Sequence, residues 1–304
     1  MVHGTHNAIH DDRNESIIIY INGAFHVRNE AKISVFDSGY LVGDGIWEGI
    51  RLTEGKLVFV EEHLNRLWQA SKATHINMTY SKDELIEIIY KTLEKNNMTD
   101  GVHIRVMITR GIKKTPSQDP RLTITGPNLV IIPEYKMADE SSKKSGLKLF
   151  TSTIRRGSPD YLDPKLNCHS KLHEVQALVQ AIEAGADEAL MLDINGFVST
   201  CNSTNFFMVK DGVVITSTDQ YCMNGITRQK IIDLCAENSM PVVERNFSLY
   251  DVYDADECFV TGTFAGISPV ISIDGRTIEN NSDTEISETL SILYKKLISD
   301  YVRK

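Results

Sequence analysis

Long apolar runs are missing from this chain. Stretches such as Ile17 to Ile19 and Leu129 to Ile132 stop far short of the roughly 20 residues that a membrane-spanning helix requires, so no bilayer crossing is expected. The start, Met1 to Glu15, has no apolar core of the secretory kind and reads as a polar, flexible leader. Cysteine is scarce: five residues, an odd number without short paired spacing, fit neither a disulfide framework nor a zinc site and point to a reducing compartment, the cytoplasm. No other side-chain spacing suggests a metal. Positive charge is in deficit, with 32 Lys and Arg against 41 Asp and Glu, a net charge of −9. That balance opposes binding to nucleic acid or to an anionic membrane surface and favours a small-molecule partner.

What remains is an ordinary globular composition, 41% hydrophobic over 304 residues, enough for two cores. Asn22-Gly23 between two apolar runs predicts a hairpin, and Gly55-Lys56 a second one. Leu64, Leu67 and Trp68 recur at helical spacing within Glu61 to Ala73. Ser81, with Glu84 three residues on, starts another helix that runs to Asn96. Strands are expected over His103 to Thr109, Asn128 to Ile132, Leu147 to Ile154, Ala189 to Leu192, Phe206 to Val209, Val213 to Thr216 and Cys258 to Thr261. Helices are expected over Ser170 to Ala184 and Arg228 to Asn238. The composite is an α/β chain in two lobes: a leader over 1–15, a smaller N-terminal α/β domain over 16–136, a Ser/Lys-rich linker over 137–146, and a larger C-terminal domain over 147–304.

Three local features suggest chemistry. Asn224 to Arg228 precedes a helix, where free backbone N–H groups and the helix dipole favour an anion; a plain helix cap accounts for the same residues. Thr261-Gly262-Thr263 follows a strand and offers small hydroxyls, although such triplets also make turns. Arg66 sits four residues after Glu62, the spacing of an ordinary surface pair.

Their order along the chain adds to each of them. Phe36 to Arg51 (FDSGYLVGDGIWEGIR), Glu62 to Leu67, Gly185 to Ala189, Asn202 to Phe207, Gly225 to Arg228 and Gly262-Thr263 follow one another in a pattern that resembles the class IV aminotransferases. This is the pyridoxal-phosphate fold type IV family, which includes branched-chain and D-amino-acid aminotransferases and aminodeoxychorismate lyase. The resemblance spans Tyr20 to Gly275. It implies a pyridoxal 5'-phosphate cofactor, amino acid and 2-oxo acid as substrates, and a homodimer. It further implies that Arg66, the amides of Ile226 and Thr227, and Thr263 hold the cofactor phosphate, that Asn205 lies beside the cofactor, and that Tyr40, Arg51, His103, Arg105 and Arg110 lie on the substrate side. Several oriented donors converging on one dianion are what phosphate binding demands.

Two departures stand against the pattern. The family places its cofactor-bonding lysine in a segment resembling Asp-Pro-x-Ile-Lys-Ser-x-Asn-Tyr-Leu, and an ungapped register over Asp163 to Ala177 puts Asn167 there. In that register Lys171 takes the place of an aromatic residue that reaches the cofactor in some relatives, so Lys171 is the expected amine; an insertion after Lys165 would make it Lys165 instead. Both lysines being surface charges is the third reading. His169 and His173 flank Lys171, although a histidine at a polar helix start is usually just exposed. The second departure is Thr200, where relatives carry a glutamate against the pyridine nitrogen. A hydroxyl cannot supply that charge. The leading expectation is amino-group transfer. A lyase or racemase-like reaction on the same cofactor, and non-covalent binding of a phosphate-bearing ligand, are the alternatives.

Overall fold

A computed structural model of the chain describes residues 4–5, 8–138, 145–278 and 285–304. Of the expected leader and linker, residues 1–3, 6–7 and 139–144 lie outside the described residues. The chain divides into two compact units: Ile9–Met137 with Leu166–Lys171, and Met1–Ala8, Ala138–Lys165 and Leu172–Lys304.

The first unit is built on an antiparallel sheet. Its strands are β1 (Ile18–Ile21), β2 (Ala24–Val27), β3 (Gly45–Thr53), β4 (Lys56–Val58), β5 (Val102–Thr109) and β6 (Asn128–Tyr135), in the order β2-β1-β6-β5-β3-β4. Asn22 and Gly23 turn the first hairpin with φ of 48° and 94°, the paired positive values that Asn-Gly accommodates. The β3–β4 turn centres on Glu54 and Gly55 (φ 47° and 78°), one residue before the expected position, because Lys56 already pairs with Thr53. A short helix α1 (Ser38–Val42) is capped by Asp37, whose carboxylate accepts from the amides of Gly39 and Tyr40. Helix α2 (Val60–Thr74) and helix α3 (Lys82–Lys95) carry the apolar spacing read from sequence, and Ser81 and Glu84 form a reciprocal capping box.

Along β3 and β5 the even-numbered side chains Ile46, Ile50, Leu52, Ile104, Val106 and Ile108 are buried in one core with Leu64 and Leu67 of α2 and Leu85 and Ile89 of α3. Each such burial stabilises by about 1.5–3 kcal/mol. The odd-numbered residues therefore face the other way. Residues 166–171 extend this arrangement: Ile46 and Cys168 form an antiparallel bridge, Trp47 N donates to Asn167 O at 2.9 Å, and His169 N donates to Gly45 O at 2.9 Å.

The second unit contains a mixed sheet of β7 (Leu147–Thr151), β8 (Glu188–Leu192), β9 (Val198–Cys201), β10 (Asn205–Lys210), β11 (Val213–Thr216), β12 (Val242–Glu244), β13 (Glu257–Gly262), β14 (Gly266–Ile273) and β15 (Arg276–Thr277). The order is β12-β11-β10-β13-β14-β7-β8-β9, with β15 on β14. Its helices are α4 (Pro159–Leu162), α5 (Leu172–Glu183), α6 (Ile226–Glu237), α7 (Leu249–Tyr253) and α8 (Ile286–Arg303). One core joins Leu190, Val198, Phe206, Met208 and Val260 to Phe247 and Val252. On the other face of β8, Ala177 and Ala181 of α5 pack against Ala189 and Met191. Small residues on both sides let that helix lie close to the sheet.

Candidate active site

In the first unit the odd face of β3 and β5 is polar. Cross-strand pairing sets Arg51 beside His103, Gly49 beside Arg105 and Trp47 beside Met107, while Asn167 and His169 sit opposite Trp47 and Gly45. Alternation puts all of these side chains on one side of the sheet. Two glycines give the rings room. A Cβ at Gly49 would come within 2.9 Å of the His103 imidazole, and one at Gly45 within 2.8 Å of His169 Nδ1.

Arg105 sits over the Trp47 indole, its Cζ 4.0 Å from the ring centroid, close enough for a cation–π contact. Burial pushes its pKa down, against the opposite pull of Glu134, yet a guanidinium stays charged at any ordinary pH. Trp47 in turn is anchored by its Nε1, which donates to Cys168 O at 3.2 Å. Arg51 donates through Nη1 to Lys136 O at 2.6 Å.

The other two expected substrate-side residues, Arg110 and Tyr40, are not part of this cross-strand set. Arg110 grips Asp44 at 2.6 and 2.9 Å and also donates to the carbonyls of Thr74 and His75, so it ties the end of β5 to the end of α2. Tyr40 is 71% exposed on α1.

Arg66 belongs to the opposite, core-facing side. Its Nε and Nη2 meet the two oxygens of Glu48 at 2.7 and 2.8 Å, and His63 Nδ1 lies 2.8 Å from the same carboxylate. Glu48 and His63 are both buried. Burial raises the Glu48 pKa, but Arg66 and His63 outweigh it and leave the carboxyl below its ordinary value. Sequence reading paired Arg66 with Glu62 and overlooked Glu48, because a strand residue and a helix residue 18 positions apart share no periodicity.

In the second unit, helix α6 starts two residues earlier than expected, at Ile226, with Gly225 as a cap that has no side-chain hydrogen bond to the first turn. The helix dipole and the leading amides therefore end on a glycine. Asn205 presses on that glycine: its Nδ2 donates to Met223 O at 3.0 Å, and a Cβ on Gly225 would collide with Asn205 Oδ1. Thr261 pairs with Asn205 across β10 and β13, and its Oγ1 is buried with no hydrogen-bond partner. Thr227 Oγ1 lies 3.4 Å from the Tyr294 hydroxyl, and Thr263 is half-buried just after β13. Thr200 is buried, and its hydroxyl donates to Thr204 O at 2.6 Å.

Of the two candidate amines, Lys165 is exposed and lies 3.5 Å from Asp219. Lys171 is half-buried at the end of the 166–171 strip, its amide donating to His169 O at 2.9 Å. Asn167 itself is buried at 5% exposure, with its Oδ1 lacking a partner. His173 lies 2.9 Å from Glu174 and 3.3 Å from Arg156, in the second unit.

The class IV amino-transferase family model matches residues 45–273, most of the chain. The chain belongs to the class IV aminotransferase family. Relatives in this family include the branched-chain-amino-acid aminotransferase-like protein 1 of Arabidopsis thaliana, 38% identical over 94% of this chain and 52% of the relative. A putative branched-chain-amino-acid aminotransferase of Methanocaldococcus jannaschii is 39% identical over 92% of this chain and 96% of its own length. The chain thus spans about half the length of the two Arabidopsis thaliana relatives it matches. The fold is that of the fold type IV aminotransferases. The crystal structure of a T.th. branched-chain amino acid aminotransferase with pyridoxamine 5'-phosphate superposes with a TM-score of 0.86 at 27% identity, covering 93% of this chain and 94% of that one.

The residues present fit the phosphate of the family's cofactor: an uncapped helix start at a glycine, flanking threonines and an orphaned buried hydroxyl at Thr261 are donors in want of an anion. They do not fit bonding of its aldehyde at position 167, where a carboxamide replaces an amine. Among the described residues, no helix is long and apolar enough to cross a membrane.

Proposed function

We propose that the chain is a pyridoxal-phosphate-dependent aminotransferase that moves an amino group between an amino acid and a 2-oxo acid. The observation that supports it most is the bare start of α6 with Gly225, Asn205 and the orphaned Thr261 hydroxyl around it, in a chain of this family. When bound, pyridoxal phosphate supplies an aldehyde and an electron-accepting ring. Within the second unit the amides of Ile226 and Thr227 and the Thr263 hydroxyl would hold the phosphate, with Asn205 keeping the helix start in place. Arg105, with Arg51 and His103 on the same face, addresses the substrate carboxylate. Lys171 would supply the amine for the aldehyde, Lys165 being exposed beside Asp219. Buried free cysteines, Cys168, Cys201, Cys222, Cys235 and Cys258, accord with the cytoplasm, and exposed Leu172, Val175, Val179 and Ile182 along one side of α5 accord with a homodimer.

A second reading has its own observation. Position 200 carries a threonine in place of a carboxylate, and its hydroxyl is committed to Thr204 O, so it would not keep the pyridine nitrogen protonated, which favours a lyase or racemase-like reaction on the same cofactor. Borohydride reduction of the cofactor-loaded protein followed by peptide mapping tests the amine: label is expected on Lys171, and label on Lys165 or on neither rejects that assignment. Appearance of a new amino acid only when a 2-oxo acid is present supports transfer; keto acid formed without an acceptor supports the lyase.

A further inference from the structure

Asn167 and His169 stand two residues apart on the strip beside β3, on the same face as Trp47 and Arg105. Both carry a polar atom sealed from solvent with no hydrogen-bond partner, Asn167 Oδ1 and His169 Nε2. Buried polar atoms in native proteins are almost always satisfied, because the lost hydration is otherwise uncompensated. Two neighbouring orphans on one face therefore point to a ligand that brings the missing donors. The imidazole is suited to accept. Its pKa is pushed down by burial, and by Arg105 more weakly, against Asp37, the backbone of Ile46 and Asp44, which push it up. A neutral ring always leaves one nitrogen with a lone pair. Its Nδ1 side is packed against Gly45 and Gly39, so Nε2 is the nitrogen left to meet a partner.

A primary amine supplies two donors from one atom and so can meet both acceptors at once. An aldehyde or ketone offers only an acceptor and leaves them unpaired. We propose that Asn167 Oδ1 and His169 Nε2 together receive the primary amine of the reaction as hydrogen-bond acceptors, a role that a lysine ammonium at position 167, with donors only, could not fill. This rests on the aminotransferase reading and deepens it: the aldehyde and the amine are handled by different residues, Lys171 for the first and the Asn167–His169 pair for the second. The amine has two sources, the amine form of the cofactor and the amino acid substrate, and both share the chemistry that the pair recognises.

Trp47, hydrogen-bonded to the strip at Cys168, is a built-in reporter once the other tryptophan is removed by Trp68→Phe in every protein compared. Quenching of tryptophan emission gives the affinity for pyridoxamine 5'-phosphate and for pyridoxal 5'-phosphate, and, with the cofactor bound, for glutamate and for 2-oxoglutarate. In Asn167→Leu the affinity for the amine member of one pair is expected to fall by about tenfold or more, while that for its carbonyl member stays within about threefold. Loss in the cofactor pair or in the substrate pair tells which source the site serves. Asn167→Asp keeps an acceptor of the same shape and is expected to retain amine binding, which separates the hydrogen bond from packing. Equal losses for amine and carbonyl members, or no loss in either pair, overturn the proposal, as would an ordinary internal water satisfying both atoms. A wild-type protein that binds neither cofactor form overturns the aminotransferase reading itself, a different result from one that binds both forms without discrimination by Asn167.

Discussion

The carboxylate of Glu48 holds the guanidinium of Arg66 side-on, with Oε1 2.7 Å from Nε and Oε2 2.8 Å from Nη2. Two parallel charge-assisted bonds fix the plane of the guanidinium as well as its place. Because Glu48 is buried and Arg66 largely so, removal of one partner strands a charge. Glu48→Gln is expected to destabilise the protein by about 3 kcal/mol. The carboxyl is held below its ordinary value of 4.5. Its contribution is thus present above that pH and is lost as pH falls through the lower, folded value. Urea midpoints measured down an acid series should show the wild type converging on the variant.

Arg105 on Trp47 gives a test of substrate recognition. Arg105→Met keeps the contact with the indole and removes the charged fork. A hydrogen-bonded charge of this kind contributes about 1.5–3 kcal/mol, so kcat/KM for a carboxylate-bearing substrate should fall about 10- to 100-fold, with stability little changed. Steady-state kinetics with amino acids of different side-chain charge would show whether the loss is general or confined to acidic substrates.

Gly225 offers a steric test. The Cβ of Gly225→Ala would run into Asn205 Oδ1, so either Asn205 or the start of α6 must move. A loss of about 1–3 kcal/mol in stability is expected from such overpacking, together with weaker binding of inorganic phosphate in a calorimetric titration. Removing Asn205's branch in the double variant Gly225→Ala, Asn205→Ala should recover part of the stability but not the phosphate affinity.

Glu188 gives a pH test in the second unit. Its carboxylate accepts from Thr5 N at 2.9 Å and Thr204 Oγ1 at 3.0 Å and also meets the Thr5 hydroxyl. Burial nevertheless raises its pKa above 4.5. A group with a raised folded pKa stabilises fully below its unfolded value, and that stabilisation is lost as pH rises through the folded one. Glu188→Gln, which cannot ionise, should therefore gain on the wild type as pH rises above about 4.5. Chemical denaturation at a series of pH values would check this; a constant difference would reject it.

Turn chemistry and caps were legible in the residues. Asn22-Gly23 and Ser81 with Glu84 each act through neighbours in the chain, so local sequence sufficed; the start of α6 at Ile226 was read two residues late, because Gly225 is held against Asn205 of another element. Strand β3 was harder to read, since Gly45 to Thr53 mixes buried Glu48 with two glycines whose purpose, room for the His103 and His169 rings, lies on other elements. Helix α8 was likewise not anticipated, although Leu290, Tyr294 and Val302 form its buried side.

The order of short blocks along the chain was enough to identify the family, because each block keeps a local geometry, a tight approach at Gly225 or a cap at Asp37, that few residues can replace. The same linear reading showed that Asn167 and Thr200 depart from it. What those departures mean was decided in three dimensions. Alternation across paired strands brought Asn167, His169, Trp47 and Arg105 to one face and sent Glu48, the partner of Arg66 on α2, to the other, and burial left Asn167 and His169 with unmet hydrogen-bonding atoms. Contacts between residues as distant in the chain as Trp47 and Asn167 depend on strand register and on the exclusion of water, and neither is written in the order of neighbours.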